Sequence, residues 1–116
     1  MEIELGPSES AEWKKTGWYG NAIFSFRQNE IKPAEAADWE KTGWSPKSCI
    51  SLSQNGIDPV EAAEWKNTGW MTDAIFKFRS NGITPEEAAE WHKTGLGYSK
   101  SISLSLSGMK PAEAAQ

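Results

Sequence analysis

The chain has 116 residues, which is a typical length for a single domain. Its formal net charge of −4 disfavours a duplex nucleic-acid binder, because such proteins present a basic face. Leu, Ile, Val and Phe are scarce, but the many Trp side chains add large apolar area. We therefore expect a folded chain with a thin core built on Trp.

Several other classes of protein are disfavoured by simple sequence features. The single cysteine, Cys49, cannot form an intramolecular disulfide. No apolar run approaches the roughly 18 residues that a membrane span needs. The first residues, Met1 to Glu4, lack the basic and apolar regions of a signal peptide. These features favour a cytoplasmic protein with no membrane association.

An internal repeat runs through the chain without insertion or deletion, and one copy extends from each periodic Trp to the next. Thr, Gly, Pro and Glu recur at the same step of 26 residues. Weaker repeats at half of this period and at twice this period are also visible. The Trp, Gly and Pro positions that define the repeat are Trp13, Trp39, Trp65, Trp91, Gly17, Gly43, Gly69, Gly95, Pro33, Pro59 and Pro85.

Each half-repeat is predicted to be one short helix. The predicted helices, in chain order, cover residues 7–16, 20–29, 33–42, 46–55, 59–68, 72–81, 85–94 and 98–107, with a ninth beginning at 111. Residues 99–107 alternate polar and apolar side chains as a strand would, but their place in the repeat favours helix. Alanine pairs in the middle of three of these helices support this assignment.

The ends of the helices carry their own signals. Asp58 and Thr84 precede Pro and are good N-caps, and Ser45-Pro46 and Thr72-Asp73 mark other helix starts. Most half-repeats end in Gly, where we expect a left-handed residue followed by an apolar residue that packs back on the helix. This rule pairs Trp13 with Trp18 and Leu52 with Ile57. Glu30 stands at a Gly position, so its helix end should be weaker or differently made.

Helices of about ten residues are unstable alone, so each must bury its Trp and Ala face on its neighbours. The sequence therefore predicts an all-α fold of 26-residue helix-turn-helix units stacked as an α-solenoid or compact superhelix. We expect one repeat domain over residues 1–116. Its half-units lie near 5–17, 18–30, 31–43, 44–56, 57–69, 70–82, 83–95 and 96–108, with a partial unit at 109–116.

The repeated acidic residues could suggest acid–base chemistry, but a simpler explanation is available. Glu at the third helical position caps the helix and complements its dipole. His92 occupies a position held by Lys or Glu in other copies, so we expect it to face solvent, and Cys49 is expected to fill the core. No nucleophile, phosphate-binding or metal-ligand motif is present in the sequence. We predict no enzyme activity, no metal site and no cofactor.

Candidate binding residues are those that vary within the repeat. Tyr19, Met71 and Tyr98 lie in or beside the turns on one edge of the predicted stack, where repeat proteins often bind partners. Arg27 and Arg79 are the only arginines and occupy the same position two repeats apart. They could bind a carboxylate or phosphate, although a role at helix C-termini is the simpler interpretation.

Three functions remain open. The first is a non-catalytic scaffold or a module that binds a protein or peptide. The second is a glycan or cell-surface module that uses exposed Trp, and the third is a single-stranded nucleic-acid binder. The Thr-Gly-Trp triplets at 16–18, 42–44 and 68–70 resemble choline-binding cell-wall repeats, which are β-hairpin modules. The Pro-x-Glu-x-Ala segments between the triplets favour helix instead, so the resemblance is confined to the triplets.

Overall fold

A computed structural model describes residues 7–114, and within them all regular secondary structure is α-helical. The helices are α1 (Pro7–Thr16), α2 (Asn21–Gln28), α3 (Pro33–Glu40), α4 (Pro46–Gln54), α5 (Pro59–Lys66), α6 (Thr72–Ser80), α7 (Pro85–Lys93), α8 (Tyr98–Leu106) and α9 (Pro111–Ala114). We call α1, α3, α5 and α7 the Trp helices, and α2, α4, α6 and α8 the intervening helices. The predicted all-α helical-repeat fold is confirmed, including the helix at 98–106.

The intervening helices end as the repeat predicts. The N–H of the residue after each left-handed position donates to the carbonyl oxygen five positions earlier, at 2.9–3.0 Å. This bond defines the Schellman motif. The four donor–acceptor pairs are Ile31 to Phe26, Ile57 to Leu52, Ile83 to Phe78 and Met109 to Leu104.

The Trp helices end differently from the prediction, because a threonine side chain takes part in the turn. In the third repeat, Thr68 Oγ1 donates to the Trp65 carbonyl at 2.6 Å and accepts the Trp70 N–H at 3.2 Å. The same relay recurs at Thr16, Thr42 and Thr94. The threonine hydroxyl thus replaces the direct backbone bond, and this explains why Thr repeats with Trp and Gly.

The structure excludes one of the two expectations for the helix end at Glu30. It adopts φ +60°, while the glycines at equivalent positions have φ +73° to +95°. Its helix end keeps the same hydrogen bonds, with the Ile31 N–H donating to the Phe26 carbonyl at 2.9 Å. The end of α2 is therefore made in the same way as the ends of the other intervening helices. It differs from them in the conformational strain of a residue with a Cβ in the left-handed region.

The predicted N-caps are partly confirmed. Ser45 accepts the Ser48 N–H at 3.3 Å, and Thr84 accepts the Glu87 N–H at 3.2 Å. The predicted helix start at Thr72 is confirmed, with Met71 in the N-cap position and no side-chain capping bond. Packing of the helix against its neighbours, rather than a capping side chain, defines this start.

The chain divides into two compact units, residues 1–60 and 61–116, with the division inside α5. In the first unit α1 packs on α3 and α2 packs on α4. In the second unit α6 packs on α8, while α7 contacts α8 and α9. Each unit thus packs helices two apart in sequence, as a stacked helical repeat requires.

Each unit has an aromatic core of the same geometry. In the first unit Phe26 lies 6.3 Å from Trp13 and 5.1 Å from Trp18, measured between ring centroids. In the second unit Phe78 lies 6.4 Å from Trp65 and 5.0 Å from Trp70. Phe26 and Phe78 are fully buried. The double period of the sequence therefore corresponds to two copies of one core.

Candidate functional site

The most regular polar feature joins the periodic Glu and Trp residues. Each Trp helix buries its Trp almost completely, and the indole Nε1–H donates to the Glu four positions earlier. The nitrogen–oxygen distances are 3.2 Å at Glu9, 3.1 Å at Glu35, 2.8 Å at Glu61 and 3.0 Å at Glu87. These carboxylates therefore satisfy buried indoles, a role that the capping interpretation missed.

A capping bond of the predicted kind does occur in α9. The Lys110 N–H donates to Glu113 Oε1 at 2.9 Å. The i, i+4 spacing places Glu and Trp on one helical face, so the sequence held a signal for the indole bond. That signal is hard to separate from capping because both roles place Glu in the first turn.

Arg27 and Arg79 bind the same carboxylates from the next helix. Arg27 Nε lies 3.1 Å from Glu9 Oε2. Arg79 holds both oxygens of Glu61, with Nε 2.7 Å from Oε2 and Nη2 3.2 Å from Oε1. The Arg79 hydrogen bonds hold the pKa of Glu61 below its ordinary value, against the opposing effect of burial. The arginines thus bind carboxylates, as one prediction allowed, but the carboxylates belong to their own chain.

The turn residues lie on the surface to different degrees. Tyr19 is 83% exposed in the first unit, and Met71 is 70% exposed in the second. Tyr98 opens α8 and is half-buried. Their grouping into one binding patch stays a prediction.

A groove between α2 and α4 is a surface that the sequence analysis did not single out. It encloses about 530 Å³, and Lys47 is its only charged lining residue. Lys47 and Arg27 are the only charged residues of these two helices, whereas α1 alone carries four. Phe24 on α2 is 48% exposed. The sequence held a signal for this surface, because charged residues are concentrated in every second half-repeat.

Cys49 and His92 are placed as predicted. Cys49 is fully buried, with its Sγ 3.5 Å from the Trp44 carbonyl oxygen, and burial raises the pKa of its thiol to about 11. His92 is exposed and its ring meets Trp70 edge-on, with 5.0 Å between centroids. Residues 7–114 contain no group of three or more His, Cys, Asp or Glu arranged to hold a metal ion.

These features define an all-α helical-repeat protein in which the same aromatic core occurs in each of the two units. None of the helices in the described segment has the length and apolar character to cross a membrane. Comparison with models of known families, with curated proteins and with solved structures gave no match to this chain.

Proposed function

We propose that the protein is a non-catalytic interaction module that binds a peptide segment of a protein partner in the groove between α2 and α4. The observation that carries the proposal is the near absence of charge in this groove, in a chain where charged residues otherwise cover the Trp helices. Charged residues are depleted at the centres of protein interfaces, because desolvating them opposes binding.

The groove also offers hydrogen-bonding groups to an extended peptide. Its walls include Asn21, Ser25 and Ser51, and apolar contact comes from Ala22 and Ile50. Concave sites that combine apolar surface with a few polar groups are the usual form of binding sites. α2 packs directly on α4, and Gln54 Nε2 at the end of α4 donates to Oδ1 of Asn29, the residue after α2, at 2.9 Å. A preformed groove binds with a smaller loss of entropy than a mobile one.

The two alternative functions require exposed indoles, and the Trp positions do not favour them. Trp13, Trp39, Trp65 and Trp91 are at most 1% exposed, so their faces are closed to sugars or bases. The half-buried indole of Trp18 donates to the Ala36 carbonyl at 2.7 Å. Trp70 donates to the Ala88 carbonyl at the same distance. The net charge of −4 also opposes binding of phosphates.

A random peptide library displayed on phage, selected on the full chain, tests the proposal. Enriched peptides should then be synthesised and their affinities measured by fluorescence anisotropy. Ser51→Tyr, which fills the groove without adding charge, should weaken binding by about tenfold or more, equivalent to about 1.4 kcal/mol. Ala34→Tyr on the exposed surface of α3 is the matched control and should leave the affinity unchanged. Selection of no peptide, or equal binding to S51Y and wild type, would refute the proposal.

A further inference from the structure

Two equivalent carboxylates in the second unit differ in what they bind. Glu61 and Glu87 each accept an indole N–H from the Trp four positions later. The residue 18 positions after Glu61 is Arg79, which binds both carboxylate oxygens. The residue 18 positions after Glu87 is Ser105, whose Oγ donates to Oε2 at 2.6 Å. Within residues 7–114 no ion pair forms at Glu87.

The smaller serine side chain leaves open space beside Glu87. The groove lined by Glu87, Ser105, Met109 and Pro111 encloses about 500 Å³. The equivalent groove in the first unit, where Arg27 lies on Glu9, encloses about 320 Å³. Replacement of arginine by serine is thus accompanied by a larger groove over a carboxylate that has no cationic partner among the described residues.

The charge of the groove is negative. Its acidic lining residues are Glu86, Glu87 and Glu90, and its basic lining residue is Lys110. Lys93 neutralises Glu90 at 2.9 Å, which leaves one acidic group in excess. A cationic ligand is therefore favoured over an anionic or neutral one.

We propose that this groove binds an arginine side chain of a partner peptide, with the guanidinium taking the place of the Ser105 hydroxyl on the Glu87 carboxylate. The chain itself provides the precedent, because Arg79 binds Glu61 through two parallel contacts of 2.7 and 3.2 Å. Such two-point contacts favour the planar guanidinium over lysine, which is a point charge. Met109, 38% exposed, and Pro111 supply apolar surface for the arginine stem. This site lies in the other unit from the α2–α4 groove and does not depend on it.

A titration of the full chain with the capped tripeptide acetyl-Gly-Arg-Gly-amide tests the site. The indole N–H of Trp91 reports on it, because this group donates to the same carboxylate at 3.0 Å. We expect a saturable shift of its signal in ¹H–¹⁵N spectra. The citrulline tripeptide, which has the same shape without the charge, should bind at least about tenfold more weakly, and so should the lysine tripeptide.

Two variants and one control separate this binding from non-specific attraction. Ser105→Arg should occupy the groove from within, as Arg79 does at Glu61, and abolish the Trp91 shift. Ser103→Arg adds the same charge at an exposed position of α8 outside the groove and should keep the shift. Arg79→Ser should open an equivalent site that shifts Trp65 on titration. A Trp91 signal that does not saturate, equal shifts with the citrulline tripeptide, or a shift that survives in folded S105R would overturn the proposal.

Discussion

Glu30 offers a direct test of the energetics of the repeat. It occupies the left-handed position at the end of α2 with φ +60°, where the other intervening helices have Gly56, Gly82 and Gly108. Glu30 is exposed, so its replacement by glycine changes mainly the backbone conformational energy. We predict that Glu30→Gly stabilises the protein.

The magnitude follows from two opposing terms. Removing the conformational strain of a residue with a Cβ in the left-handed region raises the free energy of unfolding by about 1–2 kcal/mol. The greater conformational freedom of glycine in the unfolded chain lowers the free energy of unfolding by about 0.4–1 kcal/mol. The net gain in the free energy of unfolding is therefore centred on about 0.8 kcal/mol, between limits of about 0 and 1.6 kcal/mol, and the central value raises the urea midpoint by roughly 0.5 M at ordinary m values.

Urea unfolding followed by Trp fluorescence and by circular dichroism measures this change. Gly56→Glu is the matched reverse experiment, because Gly56 has φ +79° and no atom lies within 4 Å of an added Cβ. It should lower the midpoint by a similar amount, with the m value unchanged. A neutral or destabilising effect of E30G, combined with a neutral G56E, would refute the role assigned to the backbone conformation.

Three further predictions concern the polar groups of the repeat. Thr68→Val should lower the free energy of unfolding by about 1–3 kcal/mol, because it removes the hydroxyl that bonds the buried Trp65 carbonyl and the half-buried Trp70 N–H, and Thr68→Ser should lose less. The pKa of Glu61 is lowered in the folded state, so its contribution to stability is present above the unfolded pKa and lost as pH falls through the folded pKa. Arg79→Met should therefore flatten the acid limb of the stability profile. Cys49, with a pKa of about 11 and no exposure, should react with a thiol reagent at neutral pH only at the rate of unfolding.

Each of these has a clear contrary result. Equal unfolding free energies for T68V and wild type would remove the threonine relay as a stabilising element. Parallel acid profiles for R79M and wild type would show that the Glu61 carboxylate gains nothing from its partner. Modification of Cys49 faster than global unfolding, measured in the same buffer, would show that its core position opens locally.

The sequence was informative where one residue determines local geometry. Gly at a fixed step predicted the left-handed helix ends, and Pro33, Pro46 and Pro85 predicted first helical positions that the structure confirms. The repeat correctly outweighed the strand-like alternation at 99–107. Its repeat partners include residues with stronger helix signals, and the structure confirms helix over 98–106.

The sequence was less informative where two helices determine a contact. The indole bond from Trp65 to Glu61 lies within one helix and could have been inferred from spacing. The bond from Arg79 to Glu61 joins α6 to α5, and it depends on the angle between those helices. The α2–α4 groove likewise exists only once both helices are placed. Periodicity identifies which residues share a helical face but not which faces meet.

The distribution of polar bonds indicates where the repeat can acquire specificity. Among the described residues, every buried side-chain nitrogen and oxygen has a hydrogen-bond partner. The Thr, Trp and Glu groups are therefore committed to the fold, and changing them would leave buried polar atoms unsatisfied. The position on the next helix that faces the periodic Glu is different, because Arg79 and Ser105 both satisfy the carboxylate there. Arg79 and Ser105 differ in the charge they place beside the carboxylate, while the indole hydrogen bond to that carboxylate is present in both copies, so this is the position at which the repeat can vary its binding.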